Sequence, residues 1–397
     1  MLTGRTVVCM STIEWGFSWQ PNQEIMYRLA EAGNRVLFIE TTGARNVRLT
    51  DWRRLLWRLR FALGASASLE RTHPNLLVYS PLVLPFPHSR LTHSLNTRVV
   101  FRTVDTWLRE NGSGNLLFWA FLPSAMTLAL IEHVRPALVI YQCMGDTPAG
   151  HPVSAIARSE RELMRRCDLA FANSLRLLQH VRRFTPEAHL FRAGVDVEAF
   201  QRTASEAEAP PPELADISDP IAGYVGSIHP WLDLELLAGA ARELSTWQFV
   251  MIGPLLRDVS RLRGLSNIRW LGQQPHHELH RYIRHFDVGI IPYVLDEYTA
   301  SAYPGKLNEY LALGKPVVAT PLPELVDYNR EFGNVVYLAG GASAFADAIR
   351  RAQESSASRR QQYLAVARAN SWGQRVEAMS AIIERLLTPV TGPPSLT

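Results

Sequence analysis

The densest concentration of chemically capable residues runs from Ala302 to Thr320, AYPGKLNEYLALGKPVVAT. Pro304 and Gly305 stand where a helix would open, and Lys306 would fall in its first turn. Lys306 and Glu309 are three residues apart, which puts them on one helix face. A helix N-terminus offers unbonded N–H groups and the positive end of the peptide dipole, so a lysine there makes a seat for a diphosphate. A glutamate one turn further on can accept two hydrogen bonds from a ribose diol. The same spacing also describes an ordinary surface ion pair on an amphipathic helix. Two further acids follow apolar, strand-like runs. Asp146, in YQCMGDTPAG, is the first candidate for a general base, and it equally suits a turn cap before Pro148. Glu14, in EWGFSWQPNQE, is the second. Trp15 and Trp19 beside it suit either stacking on a sugar or plain packing.

These residues need elements to hold them. The chain has 397 residues, 47% hydrophobic and 20% charged, which is globular composition for two or three domains. Short apolar runs alternate with segments of helical period. In the first half, strands are expected at Thr6–Cys9, Val36–Glu40, Leu76–Ser80, Leu116–Trp119, Leu138–Gln142, Leu169–Ala172 and His189–Arg192. In the second half they are expected at Ile221–Val225, Phe249–Ile252, Ile268–Leu271, Val288–Ile291, Val317–Ala319 and Val335–Leu338. Strands alternating with helices predict parallel, doubly wound sheets, hence an α/β fold. The stretch TASEAEAPPPELADISDP is acidic and carries three consecutive prolines, so it reads as a linker. The expected domains are 1–202, a linker at 203–220, 221–370, and a C-terminal helix within 371–397 packing back on the first domain before a Pro/Gly/Thr-rich tail. Ligands of open α/β sheets sit beyond the carboxyl ends of the strands. Lys306, Asp146 and Glu14 all follow such ends.

The run P-x-K-x-x-E-Y-x-A-x-G-K-P-V-V-A-T resembles the donor-site signature of GT-B-fold glycosyltransferases, in particular bacterial enzymes that build teichuronic acids and exopolysaccharides. Tyr224-Val225-Gly226-Ser227, Trp231-Leu232-Asp233, Val250-Met251-Ile252-Gly253-Pro254, Trp270-Leu271-Gly272 and the run from Phe286 to Pro292 agree in order and spacing. Tyr141–Asp146, Glu160–Cys167 and Ala193–Asp196 are weaker matches in the first domain. The resemblance implies two Rossmann-like domains facing a cleft, the first for an acceptor and the second for a nucleotide-sugar donor, a UDP-sugar among the expected kinds. It implies Glu309 on the ribose and Lys306 on a phosphate. Gly226, Ser227 and Gly253 would lie near the diphosphate, Gln273 would border the base, and Tyr303, Pro304 and Gly305 would complete the donor site. It implies no obligatory metal and no cofactor. Many relatives carry two glutamates spaced E-x7-E, and here Ser301 stands at the first position. The sugar-activating role is therefore not carried over. Asp146 becomes the base if the enzyme inverts configuration, whereas retention requires no conventional base.

The expected function is transfer of a sugar to a hydroxyl of a lipid-linked saccharide acceptor, in the synthesis of cell-surface polysaccharide or glycolipid. A nucleotide-sugar epimerase of the same fold and a non-catalytic nucleotide-sugar or lipid-binding protein are the alternatives. Residues 45–64, RNVRLTDWRRLLWRLRFALG, repeat leucines at helical spacing beside Trp52, Arg53, Arg54 and Arg58. A basic amphipathic helix with tryptophan suits an anionic membrane interface, and it also suits a helix packed on a sheet. The basic region Arg90–Arg109 is less clearly amphipathic and reads as an acceptor loop. The chain opens without a signal-peptide pattern and holds no apolar run of about 20 residues, so a cytoplasmic protein on the inner face of the membrane is expected. A net charge of only +4 gives no reason to expect a nucleic-acid partner. His276, His277 and His280 lack metalloprotease spacing, and no metal is expected there. Cys9, Cys143 and Cys167 match no zinc or redox pattern and read as small buried residues.

Overall fold

Apolar runs rich in Val, Ile, Leu and Phe form parallel strands buried on both faces, because crossover helices cover each side of a parallel sheet. The computed structural model describes residues 1–16, 19–40, 68–81, 90–145, 155–204 and 209–388. Among these, eight strands form the first sheet: β1 (Thr6–Met10), β2 (Arg35–Ile39), β3 (Ser68–His73), β4 (Leu76–Ser80), β5 (Leu116–Ala120), β6 (Leu138–Cys143), β7 (Leu169–Ala172) and β8 (Ala188–Leu190). Their order is β3-β4-β2-β1-β5-β6-β7-β8, parallel throughout except for β3 against β4. Six parallel strands form the second sheet: β9 (Ile221–Val225), β10 (Gln248–Ile252), β11 (Ile268–Gly272), β12 (Val288–Ile291), β13 (Val317–Ala319) and β14 (Val336–Leu338). Their order is β11-β10-β9-β12-β13-β14. Strand order reverses direction beside β1 in the first sheet and beside β9 in the second, which makes the loops after these strands the natural binding places. Glu14 follows β1 and Gly226 follows β9.

The chain divides into two compact units. The first comprises residues 1–173, 177–191 and 375–397, and the second comprises 174–176 and 192–374. The helix Trp372–Leu387 therefore begins in one unit and continues in the other. The division falls at Phe191/Arg192, ahead of the expected linker at 203–220. Packing explains the difference. The helix Val197–Ala204 lies against the helices Leu279–Ile283 and Lys306–Ala312, and Phe200 is buried. Pro211 and Leu214 are buried too, so the proline run is part of the second unit's surface rather than a connector.

One strand glycine, Gly289 in β12, brings the Lys306 helix close to the second sheet, and another, Gly223 in β9, makes room for the Phe286 ring ahead of β12. A Cβ on Gly223 would lie 2.1 Å from the Phe286 ring, and one on Gly289 would lie 2.3 Å from the Tyr310 ring. The Tyr310 hydroxyl then accepts a hydrogen bond from the Val225 amide, 2.9 Å. β9 pairs with β12 only at Ala222 and Gly223, so Tyr310 fills the gap where these neighbours separate. A buried amide without a partner costs about 1–3 kcal/mol, which is what this hydroxyl averts.

The basic region from Arg90 to Arg109, expected as a loop, is the helix Arg90–Asn111. Val100, Val104, Trp107 and Leu108 recur at helical spacing and are buried, so packing on one face overrides the basic residues. Short elements also escape the sequence reading: β3 and the helices Leu175–Val181 and Pro323–Phe332.

Candidate functional site

The second sheet builds its site from glycines at the carboxyl ends of three adjacent strands. Gly226, Gly253 and Gly272 have φ of +132°, +147° and +71°, a region that side chains strain to enter. The Gly226 amide donates to the Ile252 carbonyl at 2.8 Å, and the Gly253 amide donates to the Gly272 carbonyl at 2.7 Å. A Cβ on Gly253 would lie 2.1 Å from the Gly226 oxygen. Gly226 and Gly253 thus contribute close approach, since their own N–H groups are engaged by neighbouring strands. The Ser227 amide and hydroxyl are engaged by no described residue.

Lys306 opens the helix Lys306–Ala312, with Pro304 and Gly305 just before it. Seven residues make a short helix, so its dipole is a smaller contribution than the spacing suggested. The lysine carries the charge. Its ammonium donates to the Tyr293 hydroxyl at 2.6 Å and to the Tyr224 hydroxyl at 3.2 Å. It also lies 4.2 Å from the Tyr224 ring centroid and 5.0 Å from that of Tyr293, within cation–π range. No carboxylate among the described residues pairs with it. A Cβ on Gly226 would fall 2.8 Å from the ammonium, so the cation stands directly at the end of β9. Burial pushes the Tyr224 phenol well above its usual pKa and the neighbouring Tyr293 adds to this. Tyr224 therefore stays protonated, and its hydroxyl donates to the Ser227 carbonyl at 3.1 Å.

Glu309 lies one turn on, about one-fifth exposed, with its Oε1 3.2 Å from Nε2 of His276. Lys306 and Glu309 share a helix face without pairing, so the ordinary surface ion pair between them does not form. His276 comes from the turn that follows β11, where Gln273 is exposed beside Gly272. The helix itself is held from below. Asn308 is buried and donates to the Ala193 carbonyl at 2.7 Å. Tyr303 and Pro304 are buried, so they anchor the helix start and offer little surface to a ligand. The Tyr303 ring packs 5.9 Å from that of Tyr328, and the buried Arg192 guanidinium covers both. Arg192 also pairs with Glu324 and with Glu331, and Glu324 accepts from the Leu175 amide at 2.8 Å.

In the first unit, Glu14 is exposed after β1. The tryptophans beside it are packed: Trp15 meets Phe38 edge-on at 4.9 Å and Trp19 at 5.5 Å. The Trp19 indole donates to Glu24 at 2.6 Å, and the Trp15 amide donates to Glu40 at 2.7 Å. Asp146, Trp52, Arg53, Arg54 and Arg58 lie outside the described residues. Among the described residues, no group of three or more His, Cys, Asp or Glu is arranged to hold a metal ion, and no helix is long and apolar enough to cross a membrane.

Sequence reasoning placed Lys306, Glu309, Gly226 and Ser227 in one neighbourhood, and the structure brings them together. It missed Tyr224 and Tyr293 as partners of the lysine, His276 as the partner of Glu309, and Arg192. Each tyrosine carries the polar atom of an otherwise apolar run close to its carboxyl end, IAGYV and IIPY, which is the one signal that they face a polar site.

Comparison with known proteins relates part of the second unit to one family and the chain's fold to several solved structures. Residues 219–355 match the family model described as Glycosyl transferases group 1. A Bacillus subtilis (strain 168) protein named as a teichuronic acid biosynthesis glycosyltransferase, TuaH, is 35% identical over 142 residues, 34% of this chain and 35% of its own. The chain thus spans about a third of the curated relative it matches. Sucrose-phosphate synthase from Thermosynechococcus elongatus superposes with a TM-score of 0.67 at 15% identity, over 96% of this chain and 99% of its own. Anabaena Alr3699/HepE in complex with UDP-glucose gives 0.65 at 13% identity, over 96% and 99%. The E. coli protein bound with UDP-2-fluoro glucose gives 0.65 at 14%, over 97% and 99%. The fold is GT-B, two parallel-sheet α/β units, and the family match falls within the second unit.

Proposed function

We propose that the protein is a glycosyltransferase that moves a sugar from a nucleotide-diphosphate sugar to an acceptor hydroxyl. One observation carries this reading: the Lys306 ammonium, held by two phenols and paired with no described carboxylate, stands at the end of β9 against Gly226. A half-buried cation without a described counter-ion favours an incoming anion, and a diphosphate supplies one. Ser227 adds an unengaged amide and hydroxyl at the same edge. Glu309 takes the ribose diol, steadied by His276, and Gln273 borders the base. As the glycosidic bond lengthens toward an oxocarbenium-like centre, charge grows on the departing diphosphate. Lys306 neutralises that charge, so no metal ion is invoked for it. Asp146 is the proposed acceptor base for an inverting reaction, with Glu14 second.

The proposed acceptor is a lipid-linked saccharide used in cell-surface polysaccharide or glycolipid synthesis, met at the inner, anionic face of the membrane. Arg53, Arg54, Arg58 and Trp52 in the leucine-repeating segment support that reading, as does the relative named for teichuronic acid biosynthesis. The test is incubation with a panel of nucleotide sugars, with and without lipid-diphosphate saccharides, followed by anomeric analysis. Release of nucleoside diphosphate only when acceptor is present is the expected result. A soluble epimer formed without acceptor would make the protein an epimerase. Nucleotide-sugar binding without turnover would make it a binding protein.

A further inference from the structure

The ammonium of Lys306 has an unusual set of neighbours. A lysine on a solvent-facing helix ordinarily sweeps a wide volume, with about 2 kcal/mol of rotamer entropy. Here two phenolic oxygens accept from it and two ring faces flank it. The two tyrosines come from different strand ends, Tyr224 within β9 and Tyr293 just beyond β12, so the cage spans the point where those strands separate. The Tyr293 backbone is fixed independently: its amide donates to the Thr320 hydroxyl at 3.2 Å, and it bridges to Leu232. Among the described residues its hydroxyl hydrogen-bonds to the lysine and to Tyr224. The ring therefore belongs to the fold, while the oxygen serves the lysine.

We propose that Tyr293, backed by Tyr224, is a positioning residue for the donor: its hydroxyl fixes the Lys306 ammonium at the Gly226–Ser227 edge, ready for a diphosphate. This inference rests on the reading of Lys306 as the diphosphate-binding cation. The geometry gives the tyrosine no direct part in the chemistry. Its effect passes through the lysine, and it disappears when the lysine's charge is removed.

The test is a double-mutant cycle on the full chain, with Tyr293→Phe, Lys306→Met and both together. Affinity is measured by calorimetry for whichever of UDP, GDP, ADP and TDP binds tightest. Phenylalanine keeps the ring and removes only the oxygen, and each variant is first checked for a native melting transition. Lys306→Met is expected to weaken binding about a hundredfold, and Tyr293→Phe about tenfold, as for loss of hydrogen bonds to a charged group. In the Lys306→Met background, Tyr293→Phe is expected to change affinity less than twofold. Equal losses in both backgrounds would show that the tyrosine acts independently of the lysine and overturn the proposal, as would an unchanged affinity for Tyr293→Phe. If Lys306→Met itself leaves affinity intact, or if no nucleoside diphosphate binds, the donor-site reading fails and takes this inference with it.

Discussion

Lys306 illustrates what single residues disclose. Its place after Pro304-Gly305 and three before Glu309 was legible, because helix geometry alone joins residues three apart. Its two tyrosine partners were not, since Tyr224 lies 82 positions away and only the folded sheet brings it near. His276 was hidden in the same way, dismissed as part of a histidine cluster although it reaches Glu309 across 33 positions. Replacing Lys306 with alanine is expected to reduce nucleoside diphosphate affinity by about 2–3 kcal/mol with little change in melting temperature, as read by calorimetry and a thermal scan. Gly226→Ala is expected to lose both. At φ +132° the new methyl is strained, and it would stand 2.8 Å from the ammonium it must share space with. A cost of about 1–3 kcal/mol in unfolding free energy and a drop in donor binding together would match that geometry. Retained binding would show that the lysine can move aside.

At the scale of elements, parallel strands were the most readable feature, because buried strands are continuous apolar runs that no surface pattern interrupts. The helix Arg90–Asn111 was harder: its polar and basic residues mask the pattern, and the spacing of Val100, Val104, Trp107 and Leu108 betrays the buried face. The joint between the Lys306 helix and β9 is testable. Tyr310→Phe leaves the Val225 amide unpaired, and a loss of about 1–3 kcal/mol in denaturant unfolding is expected with the fold retained. A second test concerns Cys167, beside β7. Burial is the main cause that raises its thiol from 9.0 to about 11. A raised folded pKa means that the neutral thiol's contribution to stability is intact below pH 9 and is lost as pH climbs toward 11, where only the unfolded chain ionises readily. Cys167→Ala should flatten that alkaline decline in unfolding free energy. An unchanged slope would place the effect on other groups, such as the buried tyrosines.

For the whole molecule, composition and alternation disclosed two α/β units, yet the border was misplaced. Proline and acid content marked 203–220 as a connector, whereas the buried Arg192 and Phe200 tie the chain to the second unit from residue 192 onward. No local pattern reports which body a segment packs against. The units also differ in continuity. Residues 192–374 form nearly all of the second unit in one stretch, and that fragment is expected to fold cooperatively and bind nucleoside diphosphate in calorimetry. Residues 1–191 alone lack Val376, Met379 and Ile383, which are buried. That fragment is expected to be poorly soluble and to bind hydrophobic dye, with recovery when residues 375–388 are supplied in the same chain. The helix Trp372–Leu387 thereby sets an order of events during synthesis. A ribosome releases chain from the N-terminus, so the second unit can close as soon as its last strand and helices emerge. The first, although translated earlier, must wait through the making of nearly 200 further residues before its last helix arrives. The unit made first is the unit finished last, and the interval before its last helix arrives is the nascent protein's period of greatest need for a chaperone.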